Sequence, residues 1–304
     1  MLPTGVIIHV LIVICIYAIL AIGLNIIMGC AALFTIANAA LFGVGAYTSA
    51  LLALAGFPFW LDILAATFMA GLISFLIGLP TLNLVGDYLA VATMGLGEIL
   101  VAISRNWDSV TRGPMGLPGI PPASLFGFTF DSPPKFLGLS AALLLVIYLV
   151  AERLIYSPFG RVLKGIREDE IAVQALGKNA FWFKMWAFVV GGAFMGTAGS
   201  LYAHYLGFID PSSFTLWIAF FIWSIIILGG LGNNLGAIAA SFVFVAMRES
   251  LRFLGLPANV TAAIQQIFFG IILIVMMIFA PRGLIPERKY ITRYKGDAED
   301  RQSD

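Results

Sequence analysis

No Asp, Glu, Lys or Arg occurs in the first 61 residues of this chain. The apolar run that opens there, Val6 to Met28, is the first of a series that recurs almost to the C-terminal end. A helix needs about 20 mostly apolar residues to cross a bilayer core. Lipid offers backbone N–H and C=O groups no partner outside the protein, which confines spanning segments to helices or a closed barrel. Runs of this length, without the alternation of a barrel strand, predict an all-α polytopic bundle of transmembrane helices. Composition agrees: 61% of residues are hydrophobic and 11% charged, with mean hydropathy +0.99, where soluble domains carry about 25% charged residues. A net charge of +1 without a basic face excludes nucleic acid as a partner.

Nine spans are predicted, near 6–28, 34–56, 60–80, 88–104, 136–151, 181–203, 214–231, 236–254 and 260–280. They make one transmembrane domain, residues 1–285, followed by a polar tail, 286–304. The first run lacks a basic n-region and exceeds a signal-peptide core, so it is expected to remain as a membrane helix. Asn38, Gly43, Gly45 and Gly56 interrupt the second span. It reads as broken or re-entrant, a state tolerated where protein shields the backbone. Cys15 and Cys30 lie in apolar runs and read as small buried hydrophobes.

Orientation follows from the cations, which collect on the cytoplasmic side. Arg153, Arg161, Lys164, Arg167, Lys178 and Lys184 fall between the fifth and sixth spans; Arg282, Arg288, Lys289, Arg293, Lys295 and Arg301 follow the ninth. An even number of spans separates the groups, so both fit one side. That side is assigned to the cytoplasm, with the N-terminus outside and the C-terminus inside. Arg248 and Arg252 then lie toward the outer end of the eighth span, against the trend. The loop 105–135 is outside, and its prolines at 114, 118, 121, 122, 133 and 134 oppose a regular helix.

Glu98 is the one carboxylate well inside a predicted span. An ionised carboxylate at that depth costs a few kcal/mol or more unless it meets a bundle interior or a wet path. Two readings stand: Glu98 lines or gates a route, or it fixes helix packing by hydrogen bonds. With the interrupted second span and the outer loop, the candidates for a translocation path or gate are Glu98, Asn38, Gly113 and Pro114. The spacing of Gly191, Gly192, Gly196 and Gly199 is a packing signal.

His9 and His204 belong to no metal-ligand spacing, so no metal site is expected. No nucleophile–base order points to catalysis, and no cofactor is called for. A phosphate-cradling G-x-x-x-x-G-K-[ST] loop is missing too, so any ATP must bind another subunit. The loop 152–180 carries the sharpest local signal. Glu168, Asp169 and Glu170 suit a helix N-terminus, and Gly177 a C-cap. The result is a helix over 166–177 with Ile171 and Ala175 on one face, Ala172 beside them and Arg167 at its rim. A helix so short is marginal alone and needs a partner, whether an ATPase or the bundle's own surface.

At this loop the stretch from Gly160-Arg161 through Ile166-Arg167-Glu168-Asp169-Glu170-Ile171-Ala172 to Gly177 resembles the M-type (LivM-type) permease subunits of branched-chain amino-acid ABC transporters. So do Gly86-Asp87-Tyr88-Leu89-Ala90, Gly97-Glu98-Ile99, Gly113-Pro114-Met115-Gly116, Tyr202-Ala203-His204-Tyr205, Pro211-Ser212-Ser213-Phe214 and Leu228-Gly229-Gly230-Leu231-Gly232, in the same order. The likeness covers about residues 20–285. It implies a bacterial inner-membrane importer in which a periplasmic or lipid-anchored binding protein delivers Leu, Ile or Val to two permease subunits, driven by two cytoplasmic ATPases. Related urea and amide permeases share much of this layout, so both substrate classes stay open. A secondary transporter or channel fits less well, because intramembrane charges are few and no repeated halves are evident.

Overall fold

The computed structural model describes residues 4–84, 86–125, 128–252, 264–267, 270–271, 274, 278 and 283–285. Helix α1, Thr4–Asn25, runs on through a five-residue π turn, Ile26–Cys30. After a non-helical stretch come α2 (Asn38–Leu54), α3 (Phe59–Thr81) and α4 (Asp87–Asn106). The loop 105–135 holds α5 (Asp108–Thr111), a 3-10 turn (Gly113–Met115) and strands β1 (Leu117–Pro118), β2 (Ser124–Leu125) and β3 (Phe128–Thr129). Then follow α6 (Pro133–Ile155), α7 (Pro158–Glu168), α8 (Glu170–Ala175), α9 (Ala180–Leu206), β4 (Phe208–Ile209), a 3-10 turn (Pro211–Phe214), α10 (Leu216–Gly229) and α11 (Asn234–Arg252). The fold is an all-α polytopic bundle. Among the described residues, five helices are long and apolar enough to cross a membrane: α1 with its π turn, α3, α4, α6 and α9.

Seven of the nine predicted spans coincide with helices, within a few residues at each end. Most of 260–280 lies outside the described residues, as does the tail with its six cations; residues 264–267, 270–271, 274 and 278 are helical. The second span corrects in detail. Gly43 and Gly45 do not break α2; they are close-approach points, where a Cβ at 43 would stand 2.9 Å from the Phe214 ring. The irregular part lies earlier, at residues 31–37.

Helix α9 is the axis of the bundle, packed chiefly on α3, α2 and α1. Its small residues make this possible. A Cβ on Gly191 would sit 2.5 Å from the Gly23 carbonyl of α1, while Gly196 and Gly199 admit α3 and α2 in the same way. Cys15 and Cys30 are both buried, as expected.

Each end of the bundle is tied by specific contacts. At one end the proline-rich loop folds back on the end of α9: β1 pairs antiparallel with β4, and the amides of Gly119 and Ile120 donate to the Gly207 carbonyl at 3.1 and 3.2 Å. At the other end the α10–α11 turn meets the π turn and residues 284–285, with Leu284 N donating to Leu228 O at 2.8 Å. The loop 152–180 is at this second end, since Arg167 reaches Gly29. Both basic segments thus lead from one face of the bundle.

Candidate translocation path and coupling loop

Helix α4 has two unlike sides. Leu89, Thr93, Gly97 and Val101, four apart, are buried against the bundle. Tyr88, Val91, Gly95, Glu98, Ile99 and Ala102 form an exposed stripe, and nothing lies within 4 Å of a Cβ built at Gly95. Glu98 therefore points away from the interior of this chain, which speaks against packing within its own bundle. A carboxylate midway along a membrane helix cannot rest against lipid at low cost, so the stripe calls for a polar or protein neighbour.

The start of α2 meets α4 at this level. A Cβ on Gly97 would stand 3.5 Å from Ala37 Cα and 3.6 Å from Ala40 Cβ. Because Gly97 is at the midpoint of α4, α2 begins within the membrane, and residues 31–37 are non-helical backbone at depth. Protein groups satisfy them: Ile36 N donates to Thr93 Oγ1 at 3.1 Å, and Trp223 Nε1 to Thr35 O at 2.8 Å. Asn38, fully buried, donates through Nδ2 to Ala219 O at 3.2 Å, while its Oδ1 has no hydrogen-bond partner among the described residues. The structure thus brings Asn38 and the helix of Glu98 together. Gly113 and Pro114 lie elsewhere, beyond the C-terminal end of α4. Gly113 is buried at φ +55°, beside Asp108 and the Arg105 carbonyl, and Pro114 is exposed.

In the loop 152–180 the single predicted helix is two. Ser157 caps α7, its Oγ accepting from Gly160 N at 3.3 Å, with Pro158 at the first helical position, where its missing N–H costs nothing. The chain breaks at Asp169, which is extended and whose carboxylate caps α8 through Ala172 N at 3.0 Å. Glu168 ends the first helix and only Glu170 starts the second, so the three acids do not share one N-terminus. Gly177 has the positive φ of +77° expected of it. Ile171, Ala172, Ala175 and Leu176 are exposed, and α8 has no buried residue. Arg167 is not at the rim: its Nη1 turns inward to Gly29 O at 2.6 Å. Glu170 pairs with Lys184 Nζ at 2.5 Å and ties α8 to α9.

Two buried polar clusters were not foreseen. Near the end where β1 pairs with β4, Asp62 and His204 are almost fully buried, with Oδ2 and Nε2 3.6 Å apart. His204 also contacts Ser49 Oγ at 3.2 Å, and through Nδ1 the Pro121 carbonyl at 2.8 Å. Asp62 is the first charge of the chain, at the head of a span, which was the available signal. At the opposite end, Asn25 Nδ2 donates to Asn234 Oδ1 at 2.9 Å, and Asn234 Nδ2 to Glu152 Oε1 at 3.2 Å. Asn25 is the one amide of the first span. Arg248 turns into the bundle, its Nη1 donating to Tyr17 OH at 3.1 Å, over the Tyr17 and Phe221 rings.

A bundle with an irregular mid-membrane segment, a carboxylate on an open helix face and an exposed two-helix loop at one end matches a known group in sequence as well. Residues 6–277 fit the model of the permease components of branched-chain amino acid transport systems. The chain belongs to this family. It is 36% identical to the high-affinity branched-chain amino acid transport system permease protein LivM of Escherichia coli K12, over 93% of this chain and 71% of that protein. Identity to the protein of the same name in Salmonella typhimurium is 35%, over 95% and 72%. A probable LivM of Methanocaldococcus jannaschii is 28% identical over 76% and 70%. No solved structure matches. This permease is therefore of LivM type, a multi-pass membrane transport subunit and not an enzyme. Permeases of the family work with other subunits, and among the described residues the stripe of α4 is open and α8 has no buried residue.

Proposed function

We propose that this permease is the M-type subunit of an ATP-binding-cassette importer and carries Leu, Ile or Val across the bacterial inner membrane. A second permease subunit packs along the stripe of α4, and the path runs between the two, with Glu98 on its wall and Asn38 at the mid-membrane start of α2. Gly113 and Pro114 shape the outer mouth, where a periplasmic or lipid-anchored binding protein delivers the substrate. Residues 1–285 form the transmembrane domain, and the loop 152–180 and the tail 286–304 face the cytoplasm. The N-terminus is outside. The basic segments that leave one face of the bundle support this orientation.

One observation carries the reading: α8 is a six-residue helix without a single buried residue, with Ile171 and Leu176 about four-fifths exposed. A helix of one and a half turns does not hold itself in water. Its caps at Asp169 and Gly177 preorganise it, but its apolar face needs a cover. One of two cytoplasmic ATPases would take Ile171, Ala172 and Ala175 into an apolar groove, with Glu168, Asp169 and Glu170 at the polar rim, the usual layout of a specific interface.

Ala172→Glu puts a charge into that contact. With the complex assembled in membranes, the variant is expected to lose co-purification of the ATPases by about tenfold, as a mispaired interface charge costs a few kcal/mol, while the permease itself is recovered in full. ATPase recovery and Leu uptake equal to the parent protein would refute the assignment.

A further inference from the structure

We propose that the Arg167 guanidinium is the link through which movement of the cytoplasmic loop reaches the bend between α1 and α2, and so the wall beside Glu98. The proposal builds on the ATPase contact inferred above. Arg167 is in the last turn of α7, two residues before the Asp169 cap of α8. A cation there would ordinarily stay in water or meet the partner's acids. Instead Nη1 donates to the Gly29 carbonyl at 2.6 Å, with Nη2 3.4 Å from Glu168. Gly29 is within the π turn that ends α1, and carbonyls at a helix C-terminus hold partial negative charge that favours such a cation.

The far side of the π turn is anchored. Asn25 Oδ1 accepts from Gly232 N at 2.9 Å, Asn25 Nδ2 donates to Asn234, and Asn234 reaches Glu152 of α6. Gly29 also abuts Gly232 so closely that a Cβ would stand 2.9 Å from its Cα. The turn is thus clamped between the α10–α11 connection and Arg167. Beyond it the chain folds back on the turn, the Ala32 and Leu33 amides donating to the Met28 and Ile27 carbonyls at 3.1 and 3.2 Å. Ala32 has φ +52°, a left-handed conformation unusual for alanine. Phe34 is exposed beside the Trp223 ring, and Thr35 and Ile36 contact α10 and α4. π turns and strained residues concentrate at segments that change shape. The stretch from Gly29 to Ala37 has one end on the loop that the ATPase would move and the other against Gly97, next to Glu98. A shift of Arg167 displaces Gly29, and residues 31–37 carry the displacement to the path.

The test uses the full complex in liposomes, with Arg167→Ala and Arg167→Lys, and with Phe34→Cys added in a background without Cys15 and Cys30. Three quantities are read: ATPase co-purification, Leu taken up per ATP hydrolysed, and the rate at which Phe34→Cys reacts with a thiol reagent before and after ATP is trapped with vanadate. With Arg167 in place, trapping is expected to change that rate. Arg167→Ala should keep the ATPases bound, lose the change in rate, and lower uptake per ATP about fivefold, the scale of a single coupling contact. Arg167→Lys, whose ammonium can donate to the same carbonyl, should recover most of both. Should Arg167→Ala fail to reach the membrane, Arg167→Gln is read by the same three measures. A normal response of Phe34→Cys in Arg167→Ala overturns the link. Loss of the ATPases in that variant overturns it too, since it makes Arg167 a docking residue, and a lysine no better than alanine removes the carbonyl contact as the cause. Failure of the docking reading itself shows differently, as intact co-purification in Ala172→Glu.

Discussion

Helices α9 and α4 are both long enough to cross the membrane, yet they are built for opposite tasks. On α9 the buried residues cover most of the stretch from Lys184 to His204, unbroken from Met195 to Leu201, and glycines let three neighbours approach its backbone. On α4 only every fourth residue is buried, and Gly95 and Glu98 look outward. The same residue types mean different things in the two settings. A glycine on α9 is a contact that no other residue can make, whereas Gly95 on α4 touches nothing within this chain. The polar ring of His204 on α9 is paired inside the protein, whereas Glu98 on α4 faces out of this chain. The fold is thus carried by one helix, while the other keeps a face open.

The sharpest way to break this contrast is to burden the axis. Gly196→Leu drives a side chain into Ala66 and Ala70 of α3, where the obstacles include backbone atoms that cannot rotate away. Overpacking of this kind costs about 3 kcal/mol. The expected outcome is loss of folded protein from detergent-solubilised membranes, read as a collapsed monodisperse peak and a large fall in Tm. A Tm close to that of the parent would mean that α9 is not the axis.

Next in size is the polar pair at the end of the same helix. His204→Ala removes the ring that faces Asp62 and holds Pro121, and leaves a carboxylate buried among apolar groups. An unsatisfied buried group of this kind costs about 2 kcal/mol. Exchanging Asp62 for alanine as well is expected to return part of the loss, because a lone buried charge is worse than none. Thermal unfolding of the single and double variants checks this. If the double variant is the less stable by the full sum of two single effects, the pair is not coupled.

Much of this architecture was legible in the chain. Apolar runs of about 20 residues set the helices because lipid leaves the backbone no other solution, and the small residues of α9 read directly as packing. What stayed hidden depended on partners distant in sequence. Asp62 and His204 are 142 positions apart and meet only because α3 lies on α9. Arg167 reads as a surface cation until the fold places Gly29 beneath it. The break at Asp169 was missed for a local reason: an aspartate can head a helix as well as sit in one, and here its carboxylate captures the Ala172 amide. The open side of Glu98 was out of reach as well, since depth in a span says that a carboxylate needs shelter but not which molecule supplies it.

Glu98→Gln is the gentlest change and separates the two helices most finely. It keeps the shape and most of the hydrogen-bonding capacity of the side chain and removes only its charge. If α4 is a face toward a second subunit and a path, the folded chain does not depend on that charge, and the Tm of the purified permease should stay at the parent value, as for surface substitutions generally. Transport should not be so tolerant. A charge on the wall of the path biases water and the zwitterionic substrate at the point where α2 begins, so Leu uptake at equal ATPase recovery should fall about fivefold, the scale of about 1 kcal/mol in one interaction. The contrast with His204→Ala then becomes quantitative: one variant loses stability first and transport only as a consequence, the other loses transport alone. A fall in Tm on the scale of the histidine variant would make Glu98 a packing residue, and unchanged uptake would remove it from the path.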